Sequence, residues 1–464
     1  MPSSRPSRET PAAEESPTHN QLPPRCSPRF FSSEHMANRG GAGPGRAILV
    51  VLCVFFLCLQ GTQQKSLSVG HFGGLANCST VACAQQNSVA FLAAGNAAVA
   101  GDVVVFDGGR RWWYMPFNPA DHGGVVPILE NLDSVAISLE GELVLHDNFT
   151  AWPTYVHGDK NKTAYYNAIH IRNSTRVTVT GGGTVVGQGE TWWRAFFFGK
   201  VERQRPTTLY LENAADTTVE HISIFDAPRF NIYADNVDGL EVRYATIWVD
   251  VLSQKSIYEE LTGIDASYLP PFRDAAHRRA AAAAAPGKTA SFPMFPYNTD
   301  GVDFHGRNIH LHDLNISNYD DVVAVKASDE SYSIQCTENV LVERLTVFVG
   351  VGLSIGSIVP APNKRCVRNV TFRDIALQDP LKVVYVKSGS PGDDSADEAE
   401  DLWSGSVTDV LYENITANGS LFPAIYLGPQ QQKEPDGGGQ GFWEVPTEPR
   451  VSFRNIKFKD VVSF

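Results

Sequence analysis

The sequence predicts an all-β protein built as a parallel β-helix, and three observations carry that prediction. Short runs of alternating β-branched residues recur at intervals of roughly 20 to 35 residues, among them 177–180, 219–224, 309–312, 340–347, 370–375 and 451–456. An Asn stands just before several of them, as Asn308, Asn339, Asn369 and Asn414 do. Punctuation comes from 39 Gly and 28 Pro, and few stretches carry the period of a long amphipathic helix. A repeat of two or three short strands without a helix satisfies its backbone by stacking on the next copy at ~4.8 Å. The recurring Asn fits an internal amide ladder at a coil corner. A β-sandwich could use the same strands, but Asn-Gly hairpin turns are sparse.

Taken in order, residues 1–64 read as a polar leader plus signal peptide and 65–464 as the β-helix. The uncharged run 47–59 is too short for a membrane span of ~20 residues, and Arg46 precedes it. A start at Met36 would give it a basic n-region of ordinary length. Two readings stay open: a cleaved signal peptide, or an uncleaved type II anchor that would make the membrane a partner. The Ala-rich segment 86–100 reads as a short helix covering the first coil, whose edges would otherwise be unpaired. Residues 251–296, with six consecutive Ala at 280–285, read as a surface insertion. The acidic stretch 393–401 and the Gly-rich 436–441 read as solvated loops.

Secretion gains independent support from eight Asn-x-Ser/Thr acceptors: Asn77, Asn148, Asn161, Asn173, Asn315, Asn369, Asn414 and Asn418. Outside the leader and apolar run, four cysteines remain, Cys78, Cys83, Cys336 and Cys366, an even number that fits two disulfides in an oxidising compartment. Proximity pairs Cys78 with Cys83 and Cys336 with Cys366, out of three connectivities. No Cys/His spacing resembles a metal site, and His305, His310 and His312 read as surface or corner residues, so no metal and no cofactor is expected. The formal charge is -13, which weighs against nucleic acid as a partner. An acidic polymer would need locally placed cations, for which Lys326, Lys364, Arg365, Arg368 and Lys387 are candidates. A monomer is expected.

The chemistry gathers in two short runs, Asn298-Thr299-Asp300-Gly301-Val302-Asp303 and Asn318-Tyr319-Asp320-Asp321-Val322. Asp300 and Asp321 are 21 residues apart, one coil's worth, so stacking would bring Asp300, Asp320 and Asp321 together. Three close carboxylates do not all ionise cheaply, so one proton is retained near neutral pH and the cluster offers an acid and a base at once. Which carboxylate holds it belongs to the coupled cluster. Acid and base together are what hydrolysis of a sugar acetal requires.

These two runs resemble the first two signatures of glycoside hydrolase family 28, the polygalacturonases and rhamnogalacturonan hydrolases. The Gly-rich 181–189 with Trp192 and Trp193 is similar to the family's turn before a paired tryptophan, and the resemblance extends from about residue 85 to the C-terminus. It implies a single-stranded right-handed parallel β-helix of the pectin lyase-like type and a pectic polysaccharide as substrate. It further implies Asp321 as general acid, Asp300 and Asp320 holding the attacking water, and hydrolysis with inversion. Asn298, Lys326, Gly352, Tyr385 and Lys387 would face the substrate. Two departures stand out: Val351 occupies the place of the histidine in the third signature, and Tyr385-Val386-Lys387 lacks the arginine of the fourth. Loss of that arginine weakens the case for galacturonate at the cleavage subsite. A rhamnogalacturonan hydrolase or an exo-acting relative is therefore the alternative. A calcium-dependent lyase and a non-catalytic wall-binding protein are the readings from other classes.

Overall fold

The computed structural model describes residues 64–157, 162–201, 204–250, 298–328, 332–360, 365–388, 404–420, 423–428 and 451–464. The leader and apolar run, the whole of 251–296, the stretches 393–401 and 436–441, Asn161 and Lys364 lie outside the described residues. Everything described falls within one compact unit, Thr62–Phe464. No helix among the described residues is long and apolar enough to cross a membrane.

Strands stack in three columns, and almost every pairing is parallel. One column begins with Ser66–Ser68, Val103–Phe106 and Ala136–Leu139. A second begins with Arg111–Tyr114, Glu142–Leu145 and Thr184–Val186. The third runs through Leu129–Glu130, Ile169–Arg172, Leu209–Glu212 and the start of Ile232–Arg243. Farther on, single strands bend across corners, as Val302–Asn318 and Cys336–Val349 do. Among the described residues the exception is an antiparallel hairpin, Thr154–His157 with Lys162–Tyr165.

Alternation decides what is inside. Val302 and Phe304, Val323 and Val325, Leu353 and Ile355, Val384 and Val386 are all buried in the core, so the residues between them point outward on the third column. Helix α1, Val81–Ala97, closes the first coil as expected, beginning five residues earlier than 86 because Thr80 caps it through Oγ1 to the Cys83 amide at 3.2 Å. Phe91 from α1 meets Phe106 with ring centroids 5.0 Å apart. A second helix, α2, Gly189–Phe197, carries Trp192 and Trp193 into the core, where Trp193 Nε1 donates to the Ala227 carbonyl at 3.1 Å. Both are packing residues.

The amide ladder exists, but on the outside. Asn308, Asn339 and Asn369 sit at exposed corners with φ of +58°, +57° and +54°. Asn339 Nδ2 donates to Asn308 Oδ1 at 3.1 Å, and Asn369 Nδ2 to Asn339 Oδ1 at 2.8 Å. A left-handed corner turns the side chain to solvent, and Asn tolerates that conformation better than most residues. Among the glycosylation acceptors, Asn77, Asn173, Asn315, Asn369, Asn414 and Asn418 are exposed and Asn148 is half-buried. Asn369, Asn414 and Asn418 already donate Nδ2 to the preceding coil. The two disulfides are Cys78–Cys83 and Cys336–Cys366, the latter between register partners on adjacent coils.

Candidate active site

Register brings the two aspartate runs together. Val302 pairs with Val323 and Asp303 with Ala324, and the Gly301 amide donates to the Asp321 carbonyl at 2.9 Å, so Asp300 lies beside Asp321 on the next coil. Asp321 in turn pairs with Gly352. Buried amides fix the backbone between them: Asn318 Nδ2 donates to the carbonyls of Thr299 at 3.0 Å and Asp321 at 2.7 Å. Asn231 Nδ2 donates to those of Thr299 and Asp300. Asp320 is gripped by two backbone amides, Asn298 N at 2.7 Å and Asp321 N at 2.8 Å. Asn298, in the left-handed region at φ +59°, thus serves the site through its main chain.

Gly352 has φ +120°, and a Cβ there would lie 2.4 Å from the Lys382 carbonyl oxygen. Its place in the site is a close approach of two coils. Gly352→Ala is expected to cost stability by ~1–3 kcal/mol through overpacking, with backbone strain added; urea unfolding measures it, and an unchanged midpoint would contradict the fit. Val351, where the resemblance places histidine, is buried, and its amide donates to the Asp320 carbonyl at 2.7 Å.

Carboxylate oxygens of Asp300, Asp320 and Asp321 all lie within 4.8 Å of one another. Such a cluster could surround a divalent ion, but two lysines already face it. Lys387 Nζ lies 2.7 Å from Asp321 Oδ2, and Lys326 Nζ 3.2 Å from Asp303 Oδ2 and 3.9 Å from Asp300 Oδ2. Ser354 Oγ donates to Asp321 Oδ1 at 2.6 Å. Burial pushes the Asp300 carboxyl well above its ordinary range, and repulsion from Asp303 and Asp320 pushes it further. Asp303 is also raised, mainly by burial. Burial acts on Asp321 the same way, yet Lys387, Lys326 and the Ser354 hydroxyl outweigh it and hold Asp321 below the usual range. Burial and repulsion thus favour the protonated form at Asp300, whereas Lys387, Lys326 and Ser354 favour the ionised form at Asp321. Asp300 Oδ1 is buried with no hydrogen-bond partner among the described residues.

Tyr385 is 3% exposed, so its ring offers no open face for a sugar. It lies between two ammonium groups instead, Lys382 Nζ at 4.2 Å and Lys387 Nζ at 4.4 Å from its centroid. Lys382, which the sequence did not single out, has its pKa pushed down to about 8 by burial and by Lys387. Asp303 is the other addition. It stands in the first run, and outward alternation between Val302 and Phe304 would have placed it in the site.

Three sequence expectations move. His305 is buried, its Nδ1 accepting from the Asn236 amide and its Nε2 facing the Ile334 carbonyl at 2.9 Å. His312 is buried between Glu241 and Asp313, while His310 meets Glu343. Glu241, His310 and His312 come close enough to hold a metal ion, although Arg243 and Arg344 already neutralise that patch. Both histidines lie on one side of their strand; His310 stays partly exposed as expected, whereas His312 is covered. Arg368 pairs with Glu338 at 2.5 Å on the outer wall, whereas Arg365 lines a cavity beside the site.

Fold and site together define a class: a parallel β-helix carrying a buried cluster of carboxyls on an outward strand column. The chain belongs to glycosyl hydrolases family 28, whose model matches residues 126–463, a later start than the expected residue 85. It is 24% identical over 245 residues to a probable polygalacturonase of Vitis vinifera, across 51% of this chain and 40% of that one. An exopolygalacturonase of Rhizopus delemar is 26% identical over 263 residues, across 56% of this chain and 50% of the relative. The chain thus spans half or less of the length of these relatives. Among solved structures, the polygalacturonase from Erwinia carotovora aligns with a TM-score of 0.52 at 17% identity, covering 87% of this chain and 96% of that chain. An endo-xylogalacturonan hydrolase from Aspergillus tubingensis aligns at 0.51 and 14%, covering 81% and 89%. At such identities the likeness is one of fold, a right-handed parallel β-helix.

Proposed function

We propose that this protein is a secreted glycosidase that hydrolyses the backbone of a pectic polysaccharide with inversion at the anomeric carbon. The observation that carries the reading is the stacking of Asp300, Asp320 and Asp321 within 4.8 Å, faced by the buried Lys387 and the half-buried Lys326. One carboxyl gives its proton to the leaving glycosidic oxygen; the others orient the attacking water and take its proton as the new bond forms. Asp321 becomes the acid when an acidic sugar draws Lys387 away from it, because the partner that holds its pKa down is then shared. The raised pKa of Asp300 favours a second assignment, with Asp300 as the acid. Aryl glycosides with good leaving groups separate the two: the variant lacking the acid, Asp300→Asn or Asp321→Asn, keeps far more activity on them than on the polymer.

Carboxyl separations of ~6.5–9.5 Å usually accompany inversion and ~5–5.5 Å retention, when one acid and one base flank the sugar. In the proposed mechanism Asp300 and Asp320 hold the water jointly, so a rule for one acid and one base does not apply to this three-carboxyl cluster. Proton NMR of the first-formed product tests this, the inverted anomer being expected and the retained one refuting it. A lyase would instead release an unsaturated product absorbing in the ultraviolet. Val351 and Tyr385 at the cleavage site favour a backbone containing neutral sugars as a second substrate reading. Homogalacturonan and rhamnogalacturonan, offered separately, decide between them. The apolar run 47–59, the glycosylation acceptors and two disulfides support secretion. A mobility shift on enzymatic deglycosylation of the protein from a eukaryotic host checks it.

A further inference from the structure

The outer wall carries a second constellation of ionisable groups, on a different strand column from the aspartates. His310 and His312 stand two residues apart on Val302–Asn318, and the preceding coil sets Glu241 opposite His310 and Arg243 opposite His312. These pairs belong to the column that begins with Ser66–Ser68. One atom from each of Glu241, His310 and His312 lies within 4.8 Å of the others. A tetrahedral zinc ion sets its nitrogen and oxygen ligands ~3.3 Å apart, and His312 Nε2 already stands 3.0 Å from Glu241 Oε1. His310, partly exposed, has the freedom to close the remainder. Histidines that bind a metal present their other ring nitrogen to a carboxylate or carbonyl. Both have one here: His312 Nδ1 lies 2.6 Å from Asp313 Oδ2, and His310 Nε2 3.1 Å from Glu343 Oε1. That leaves one nitrogen of each ring for an ion. The surrounding arginines do not close the cluster, because each is held by another acid. Arg243 reaches Glu220 at 2.7 Å, Arg344 reaches Asp313 at 2.9 Å and Arg373 reaches Glu343 at 2.6 Å. The contacts of Arg243 and His312 with Glu241 both fall on Oε1, so among the described residues Oε2 is left for a cation.

We propose that Glu241, His310 and His312 bind one zinc ion, with Asp313 and Glu343 orienting the two rings. Two imidazoles and one carboxylate suit zinc, and they offer too few oxygens for calcium. The sequence gives no hint of the site because Glu241 lies 71 residues before His312 and meets it only through the register of two coils. The ion ties Ile232–Arg243 to Val302–Asn318, the two strands that the 251–296 segment separates in the chain. It is a structural clip and takes no part in hydrolysis. Because the three ligands come together only in the folded chain, binding stabilises that state by mass action. The inference does not depend on which glycan the aspartates cleave.

Calorimetry with zinc chloride on the intact, untagged protein, first stripped of metal by a chelator, tests the proposal. Wild type is expected to bind one ion with a Kd of about 10 µM or tighter. Asp313→Asn should lose about 10- to 100-fold, as changes behind a ligating histidine do, and His310→Gln and Glu241→Gln at least as much. Asp321→Asn should bind zinc as wild type does, because the aspartates stand on another column. The melting temperature of wild type rises with added zinc, and that of His310→Gln does not. Cobalt(II) supplies a direct signature: wild type shows the visible absorption bands of a low-coordinate ion, and His310→Gln lacks them. His310 and Glu241 are both partly exposed, so either variant carries the test should the other fail to fold. No zinc binding by wild type up to about 1 mM, or wild-type affinity in both His310→Gln and Glu241→Gln, overturns the proposal. Loss of binding in Asp321→Asn also overturns it, since the ion would then belong to the aspartates.

Discussion

Asp321→Asn lowers kcat on the cleaved polymer by ~10²–10⁴-fold, the usual contribution of a positioned acid or base. The amide keeps the shape of the side chain but removes the group that can take up and give a proton. It also leaves Lys387, 5% exposed, without the carboxylate 2.7 Å away. Breaking one partner of such a buried pair costs roughly 3–5 kcal/mol, so the variant is expected to melt earlier, and kcat must be read well below its transition. Circular dichroism confirms that the helix is intact at the assay temperature. Full activity on any polymer that the wild type cleaves would show that Asp321 has no part in the chemistry.

Lys387→Met should produce the second large effect, and on two axes. Its loss removes the strongest influence opposing burial at Asp321, so that carboxyl rises. A general acid works only while protonated; if Asp321 is the acid, the alkaline limb of kcat/KM therefore moves to higher pH. Stability responds with a definite sign. In the wild type the folded-state pKa of Asp321 is depressed, so its contribution is present above the unfolded value of ~3.9 and fades as pH falls through the folded one. In the variant the folded value lies above the unfolded one, and the same group stabilises at low pH and loses that contribution as pH rises. Melting temperatures of both proteins across the acid range should therefore converge toward low pH. Parallel curves would mean that Lys387 does not set the ionisation of Asp321.

Much of this was legible without coordinates. Alternation in Val302 and Phe304 marked a strand with one face in the core, and the 21-residue step from Asp300 to Asp321 matched one coil. The disulfide partners followed from proximity. What failed did so for identifiable reasons. Asn308, Asn339 and Asn369 repeat as an internal ladder would, but their positive φ turns the amides outward. Tyr385 looked like a platform for sugar and is instead enclosed by Lys382 and Lys387 from its own coil. The cavity that Arg365 lines beside the site draws on residues from 155 to 365, which no local motif connects.

The sequence by itself determined the coil repeat, the pairing of the two aspartate runs and the family, because each rests on periodicity or on contiguous residues. Only the tertiary structure decided which carboxyl is pushed up and which is held down. Asp300 and Asp321 belong to the same kind of motif, yet Lys387, 66 residues on from Asp321, stacks two coils along and lies against Asp321 rather than Asp300. In a buried, water-poor cluster the nearest cation outweighs residue type, and nearness across coils is set by register and side-chain direction rather than by any order in the chain.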